Sequence, residues 1–460
     1  MLKYISDPTQ EGSGSTRMLL LYREDNHLME ETGLKKRIAF KTLGCRLNQC
    51  ETDAIAAEFG HAGYRIVDFR EDADIYVVNT CTVTVQSDRK SRHLINHASR
   101  KPGKPLVVVT GCMVNNYRNA AKLSLQADYY VENNRKTSLF SLVDAHLKGE
   151  TACPEQYEPG VFNFKPADIT FHTRSLVKIQ DGCDNYCSFC IVPFVRGRAV
   201  SRPFKDIIEN ISTVLDYGYR EVVLTGVNLG RYLYEGVDFG ELVEKILYIG
   251  RDFRLRISSM EPEGISDKFI SLFSNPKLMP HLHICLQSGS DRILKAMHRM
   301  YTLKEYLDIT GKIRSAWPDF NFTTDIIVGF PGESDEDFEL SCRIVRDIGF
   351  SHIHTFKYST REGTRAGRME GQVPEKVKNH RSGIIRDLSV ENKRRYRESL
   401  LGKTQHVLVE KVRGRKGWGY GELYVPVGFT AEGMRKNLIR EVRLTGLGEG
   451  DDPVFIGKPV

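Results

Sequence analysis

Three cysteines stand four and three positions apart in the stretch Asp181-Gly182-Cys183-Asp184-Asn185-Tyr186-Cys187-Ser188-Phe189-Cys190, directly after the apolar run Leu176 to Ile179. Thiolates so spaced on one loop can converge on a single metal centre, and their softness selects zinc or an iron–sulfur cluster over hard cations. Structural zinc is closed by four ligands, usually in paired CxxC knuckles, and no fourth Cys or His lies at knuckle distance on either side. Three ligands therefore suit a cubane with one iron left open. The bland alternatives are a zinc loop or three buried thiols, whose spacing would look different.

A second set of cysteines is dispersed. Ile38 to Gly44 runs into Cys45, Ile75 to Thr80 into Cys81, and Leu106 to Gly111 into Cys112. Each apolar run reads as a strand followed by helical sequence, which predicts a βαβ series on a parallel sheet. Ligands collect at the carboxyl ends of such strands, so these cysteines are expected to share one crevice. One such cysteine alone reads as a small core residue; three in equivalent places read as a second cluster. Cys50 falls on the following helix and Cys153 in a later Gly- and Pro-punctuated segment, so both read as structural or incidental, and Cys342 reads as core.

The first motif resembles that of the radical S-adenosylmethionine (SAM) superfamily, CxxxCx(aromatic)C, with Phe189 in the aromatic slot. The second set is similar to the amino-terminal domain of the methylthiotransferase family within it. That family's contexts stand here as Thr42-Leu43-Gly44-Cys45-Arg46-Leu47-Asn48, Asn79-Thr80-Cys81 and Gly111-Cys112-Met113. The resemblance implies two [4Fe-4S] clusters, one on Cys183, Cys187 and Cys190 and an auxiliary one on Cys45, Cys81 and Cys112 that supplies or holds sulfur. It also implies SAM in two jobs: methyl donor, and source of a 5′-deoxyadenosyl radical able to attack an aromatic carbon that has no polar route. No side chain is assigned as a catalytic acid or base.

These residues need positioning elements. The expected fold class is α/β. An amino-terminal Rossmann- or flavodoxin-like parallel sheet (36–150) follows an extension (1–35) read as disordered or loosely attached. A linker (151–172) leads to a partial (β/α)6 radical SAM barrel with a basic helical extension (173–400). A small OB-like β-barrel (401–460), resembling the TRAM domain, ends the chain. The resemblance places several strand-end residues beside SAM: Phe189; Gly226 and Asn228 near its amino group; Ser258 and Glu261 by the ribose; Gln287; Arg299 for the carboxylate; and Val328 beside adenine. Turn formation, helix capping and surface ion pairing are the alternatives. Glu333 reads as a helix cap. Cys285, where relatives usually carry proline, puts a thiol near the reaction centre or simply fills the core.

The chain has 460 residues, 66 Lys and Arg against 59 Asp and Glu, and ten cysteines. The mild net charge of +7 makes any nucleic-acid surface local. The cysteine usage fits reduced thiols in a cytoplasm better than a disulfide framework, and no run spans a bilayer. The local basic stretch joins Lys393, Arg394, Arg395, Arg413, Arg415 and Lys416 to Trp418 and Tyr420, a mixture suited to phosphate contact and base stacking. A solvated helix face is the alternative.

The motif details are closest to the branch that converts N6-threonylcarbamoyladenosine in tRNA to its 2-methylthio derivative. The implied partners are a tRNA anticodon stem-loop, a flavodoxin- or ferredoxin-like electron donor and a sulfur source. Isopentenyladenosine in tRNA, an aspartate of a ribosomal protein, or a non-enzymatic iron–sulfur scaffold are the other readings.

Overall fold

The computed structural model describes residues 36–116, 125–168 and 170–460, and the extension 1–35 lies outside them. The chain forms two compact units. The first takes the described residues to Phe171 with Asp181–Asp184 and Cys190–Val200; the second takes His172–Gln180, Asn185–Phe189 and Ser201–Val460.

The first unit is built on β1 (Arg37–Thr42), α1 (Arg46–His61), β2 (Arg65–Val67), β3 (Ile75–Thr80), α2 (Val85–Ser99), β4 (Leu106–Gly111), β5 (Tyr129–Val131) and α3 (Leu139–Leu147). The sheet order is β2-β1-β3-β4-β5, all parallel. Unbroken apolar strands such as Tyr76-Val77-Val78 have both faces covered, as parallel sheets require. Ile38, Phe40 and Val77 pack with Phe59 and Leu142 on one face, and Ala39, Tyr76 and Val78 with Ile95 on the other. Part of the expected linker also packs here: Tyr157, Phe164 and Phe171 lie against the first of these cores.

The second unit alternates strands with amphipathic helices: β6 (Ser175–Lys178), α4 (Phe204–Asp216), β7 (Glu221–Thr225), α5 (Phe239–Leu247), β8 (Arg254–Ile257), β9 (Ser259–Met260), β10 (His281–Ile284), α6 (Leu303–Ala316), β11 (Asn321–Val328), α7 (Asp335–Ile348), β12 (His352–Lys357) and α8 (Glu375–Ser399). Parallel pairing gives the orders β6-β7-β8 and β9-β10-β11-β12, a partial barrel with strands in sequence order. Capping boxes start α6 (Thr302 with Glu305) and α7 (Ser334 with Asp337), satisfying amides the first turn leaves open. Glu333 is therefore not the cap. Its carboxylate accepts from Gly329 N and Arg381 Nη1, both at 2.6 Å, pinning the strand-end loop to α8.

One face of these strands, through Val222, Leu255, Leu282, Phe322, Ile326 and Val328, packs against the helices. Side chains alternate along a strand, so the opposite face carries the intervening residues.

The chain ends in a closed five-stranded barrel of β13 (Thr404–Arg413), β14 (Lys416–Tyr420), β15 (Pro426–Thr430), β16 (Ile439–Leu447) and β17 (Phe455–Pro459), in the order β13-β14-β15-β17-β16. Closure removes the free edges of these short strands. No helix among the described residues is long and apolar enough to cross a membrane.

Candidate active site

In the first unit, strand register brings three cysteines to one sheet edge. Thr42 pairs with Asn79 and Thr80 with Gly111, so β1, β3 and β4 end level. Cys45 caps α1, Cys81 follows β3, and Cys112 opens the short helix Cys112–Asn116. Two glycines permit this approach. Gly44, at φ +97°, comes so near Cys81 that a Cβ would lie 3.0 Å from its sulfur; at Gly111, φ +102°, a Cβ would fall 2.4 Å from the Thr80 carbonyl. Asn48 fastens the rim, its amide donating to Leu43 O at 2.8 Å and Thr80 O at 3.0 Å. Asn133 Nδ2 reaches Cys112 Sγ at 3.7 Å.

None of these cysteines is in a disulfide. Burial, reinforced by Cys112 and then Cys45, pushes the Cys81 thiol up to about 12. Three soft thiol donors brought to one sheet edge, none in a disulfide, are a donor set that a cationic iron–sulfur core would satisfy.

The Cys183–Cys190 loop has anchors within each unit. In the first unit, Cys183 N donates to Gly197 O at 3.2 Å and Cys190 Sγ accepts from Val192 N at 3.4 Å. In the second, Ser188 N donates to Met297 O at 2.9 Å and Ser188 Oγ to Ala296 O at 2.9 Å, while Phe189 packs on the cluster of Ile293 and Met297. The aromatic slot thus anchors the loop. Arg299 Nη1 donates to Cys187 Sγ at 3.1 Å, and its other arm pairs with Glu261.

Strand-end residues divide into two kinds. Gln180 Oε1 accepts from Val227 N at 2.9 Å and Asn228 N at 2.8 Å, bracing the turn after β7. That leaves the Asn228 side-chain amide buried with neither its oxygen nor its nitrogen hydrogen-bonded. A buried amide without partners is costly, and a polar ligand would satisfy it. Ser258 and Gln287 are buried at the ends of β8 and β10, Gln287 at φ +66° and bridged through its backbone to Asp325 and Ile327. Gly226 has no room for a side chain, since a Cβ would lie 2.9 Å from Leu229. The side chain of Val328 faces the helices and its carbonyl accepts from Tyr358 N at 2.9 Å. Cys285 is buried, and that burial pushes its thiol up to about 12.

The radical SAM superfamily model matches residues 177–345, and that of an uncharacterized protein family, UPF0004, matches 37–131. The threonylcarbamoyladenosine tRNA methylthiotransferase MtaB of Thermotoga maritima is 36% identical over 421 residues, 90% of this chain and 95% of that one. Its namesake in Bacillus subtilis is 37% identical over 393 residues, 81% and 85% of the two chains. The chain belongs to the radical SAM methylthiotransferase family. A tRNA-2-methylthio-N(6)-dimethylallyladenosine synthase of Endomicrobium trichonymphae is 35% identical over 378 residues, 81% of this chain and 88% of that one. Among solved structures, the radical S-adenosylmethionine methyltransferase TsrM of Kitasatospora setae shares the fold at 13% identity, TM-score 0.52, covering 73% of this chain and 77% of that one.

Sequence reasoning missed the interior of this methylthiotransferase's partial barrel. At its base Glu221 pairs with Arg256 at 2.7 Å, Arg174 at 3.3 Å and Arg254 at 3.8 Å. The terminal barrel closes on that base: Arg256 donates to the carbonyls of Gly421 at 2.7 Å and Glu422 at 2.9 Å, and Tyr424 packs on His281 with ring centroids 4.8 Å apart. The signal was the alternation Arg254-x-Arg256, His281-x-His283, Thr323-x-Asp325 and His352-x-His354, polar on one strand face.

The terminal barrel and α8 sort the basic residues. Lys393 is buried and paired with Asp452 at 3.2 Å, so it is a packing residue and not an RNA contact. Tyr420 is half-buried and stacks on Tyr424 at 5.0 Å beneath Arg174. Arg394, Arg395, Arg413, Arg415 and Lys416 are exposed, Arg394, Arg395 and Arg415 in surface pairs with Glu398, Glu391 and Glu432, and Trp418 is half-buried over Gly428.

Proposed function

We propose that this enzyme adds a methylthio group to carbon 2 of N6-threonylcarbamoyladenosine at position 37 of tRNA, next to the anticodon. The observation that carries the substrate is the likeness to MtaB proteins along nearly the whole of both chains. The relatives named for dimethylallyladenosine run from 32% to 35% identity, which supports isopentenyl-type adenosine as the second reading.

In this reading Cys183, Cys187 and Cys190 hold one [4Fe-4S] cluster, and Cys45, Cys81 and Cys112 hold the auxiliary one. With SAM, the two groups supply reducing power, radical chemistry, sulfur and the methyl group. The chain's own residues place them. Arg299 sets a positive charge against Cys187, Asn228 offers an unsatisfied amide to the polar end of SAM, and Ser258, Glu261 and Gln287 line the strand ends. Val328 and Gly226 act as framework. The terminal barrel, taken as a TRAM-type domain, presents Arg413, Arg415, Lys416 and Trp418 to the anticodon stem-loop, and Arg394 and Arg395 are exposed on α8. A flavodoxin- or ferredoxin-like protein would deliver the electron, a separate sulfur donor would recharge the auxiliary site, and the work belongs in the cytoplasm.

Nucleoside mass spectrometry tests this in cells that make threonylcarbamoyl- and isopentenyl-adenosine but lack methylthio groups on both. Expression of this chain is expected to add the mass of methylthio to the threonylcarbamoyl nucleoside alone. Addition only to the isopentenyl nucleoside would move the substrate to the second reading.

A further inference from the structure

Midway along the barrel interior, between the arginine-lined base and the strand ends, lie side chains to which the proposed function assigns no role. His283 on β10, Asp325 on β11 and His354 on β12 come from neighbouring strands, with Asp325 in register beside His354 and Thr323 beside His283. One ligating atom from each of the three lies within 4.8 Å of the other two. His283 and Asp325 are 1% and 2% exposed.

Each imidazole is oriented through one nitrogen. His283 Nδ1 meets Thr323 Oγ1 at 3.0 Å, and His354 Nδ1 meets His352 Nε2 at 3.3 Å. His283 Nε2 then faces Asp325 Oδ1 at 3.3 Å without hydrogen-bond geometry, a buried nitrogen lacking a hydrogen-bond partner. A satisfied core histidine would instead have both nitrogens bonded.

We propose that His283, Asp325 and His354 form a binding site for one divalent first-row transition ion of the ferrous or zinc type. Two imidazoles and one carboxylate supply a borderline N2O donor set, which suits these ions better than calcium or magnesium. Three donors on one wall leave coordination positions open toward the lumen. Thr323 and His352 are the outer partners that fix ring orientation, as metal-ligating histidines require. The ion would be distinct from both iron–sulfur clusters, and the site does not depend on which nucleoside is modified.

Cobalt(II) is the probe, because neither cluster contains it. The full chain with its clusters reconstituted is titrated anaerobically with Co2+, desalted, and read by elemental analysis and visible spectroscopy. The expected result is about one cobalt per chain with a nitrogen- and oxygen-ligated spectrum. His354→Asn and Asp325→Asn should abolish it while iron content and melting temperature are kept, and Thr323→Val, which removes only an orienting hydroxyl, should weaken affinity about tenfold. Cobalt retention unchanged in both ligand variants would overturn the site. So would failure of the wild type to retain cobalt, leaving an ion-paired His–Asp–His array only, or thiolate-to-cobalt charge-transfer bands. The wild-type measurements decide even if a variant fails to fold.

Discussion

Arg299 lies with one arm 3.1 Å from the Cys187 sulfur and the other against the Glu261 carboxylate. A guanidinium can serve two anions at once because its donors are fixed in a planar fork, which an ammonium lacks. Arg299→Lys keeps the charge and loses the fork. Calorimetry on the reduced, reconstituted protein should show SAM bound about tenfold more weakly, roughly 1.4 kcal/mol, with iron content unchanged. Unaltered affinity would remove Arg299 from the SAM site.

The auxiliary cysteines depend on close backbone approach. Gly111→Ala would thrust a methyl group to within 2.4 Å of the Thr80 carbonyl at a φ that disfavours side chains. It should cost the protein one cluster's worth of iron, as Cys81→Ala should, while SAM cleavage at the other cluster persists. Full iron content in Gly111→Ala would contradict this placement.

How much of this was legible in the sequence follows from how local each signal is. Cys183, Cys187 and Cys190 announce themselves within one loop, and Cys45, Cys81 and Cys112 through strand ends that a parallel sheet must align. The pairing of Lys393 with Asp452 and the stacking of Tyr420 on Tyr424 beneath Arg174 could not be read in advance because these partners are brought near only by the fold. The polar barrel interior lay in the alternation of arginine and histidine along β8, β10 and β12. It passed as ordinary strand sequence because nothing in a single strand says which face meets helices.

Glu221 balances three buried arginines. Burial alone would raise its carboxyl, but Arg256 and then Arg174 outweigh it and hold the group below its ordinary value of 4.5. Its stabilisation is therefore complete above pH 4.5 and is lost as pH falls through the lower folded value. Glu221→Gln leaves the guanidinium groups uncompensated and should cost about 3–5 kcal/mol, read by chemical denaturation at neutral pH.

Asp53 behaves in the opposite sense. Burial pushes its carboxyl from 3.8 up to about 8, with only Phe171 N, at 3.3 Å, opposing the shift. The folded state holds that proton between the two values, so stability should decline as pH rises from about 4 to about 8. Asp53→Asn should flatten that decline, raising the melting temperature more at pH 8 than at pH 5. An equal effect at both would show that Asp53 ionises normally.

On the terminal barrel, replacing Arg413 and Lys416 by glutamine should weaken tRNA binding and reduce the slope of log affinity against log salt by about one for each phosphate no longer neutralised. Lys393→Gln should leave that slope unchanged while lowering the melting temperature, because its ammonium is spent on Asp452 inside the fold.

The central claim is tested most directly in a defined anaerobic reaction: reconstituted enzyme, reductant, sulfide, SAM with a deuterated methyl group, and one tRNA pool carrying both threonylcarbamoyl- and isopentenyl-adenosine. Mass spectrometry of the digested nucleosides should find a deuterated methylthio group on the threonylcarbamoyl form, absent with Cys81→Ala and with Cys187→Ala. Unmodified threonylcarbamoyladenosine in the presence of both intact clusters would contradict the account.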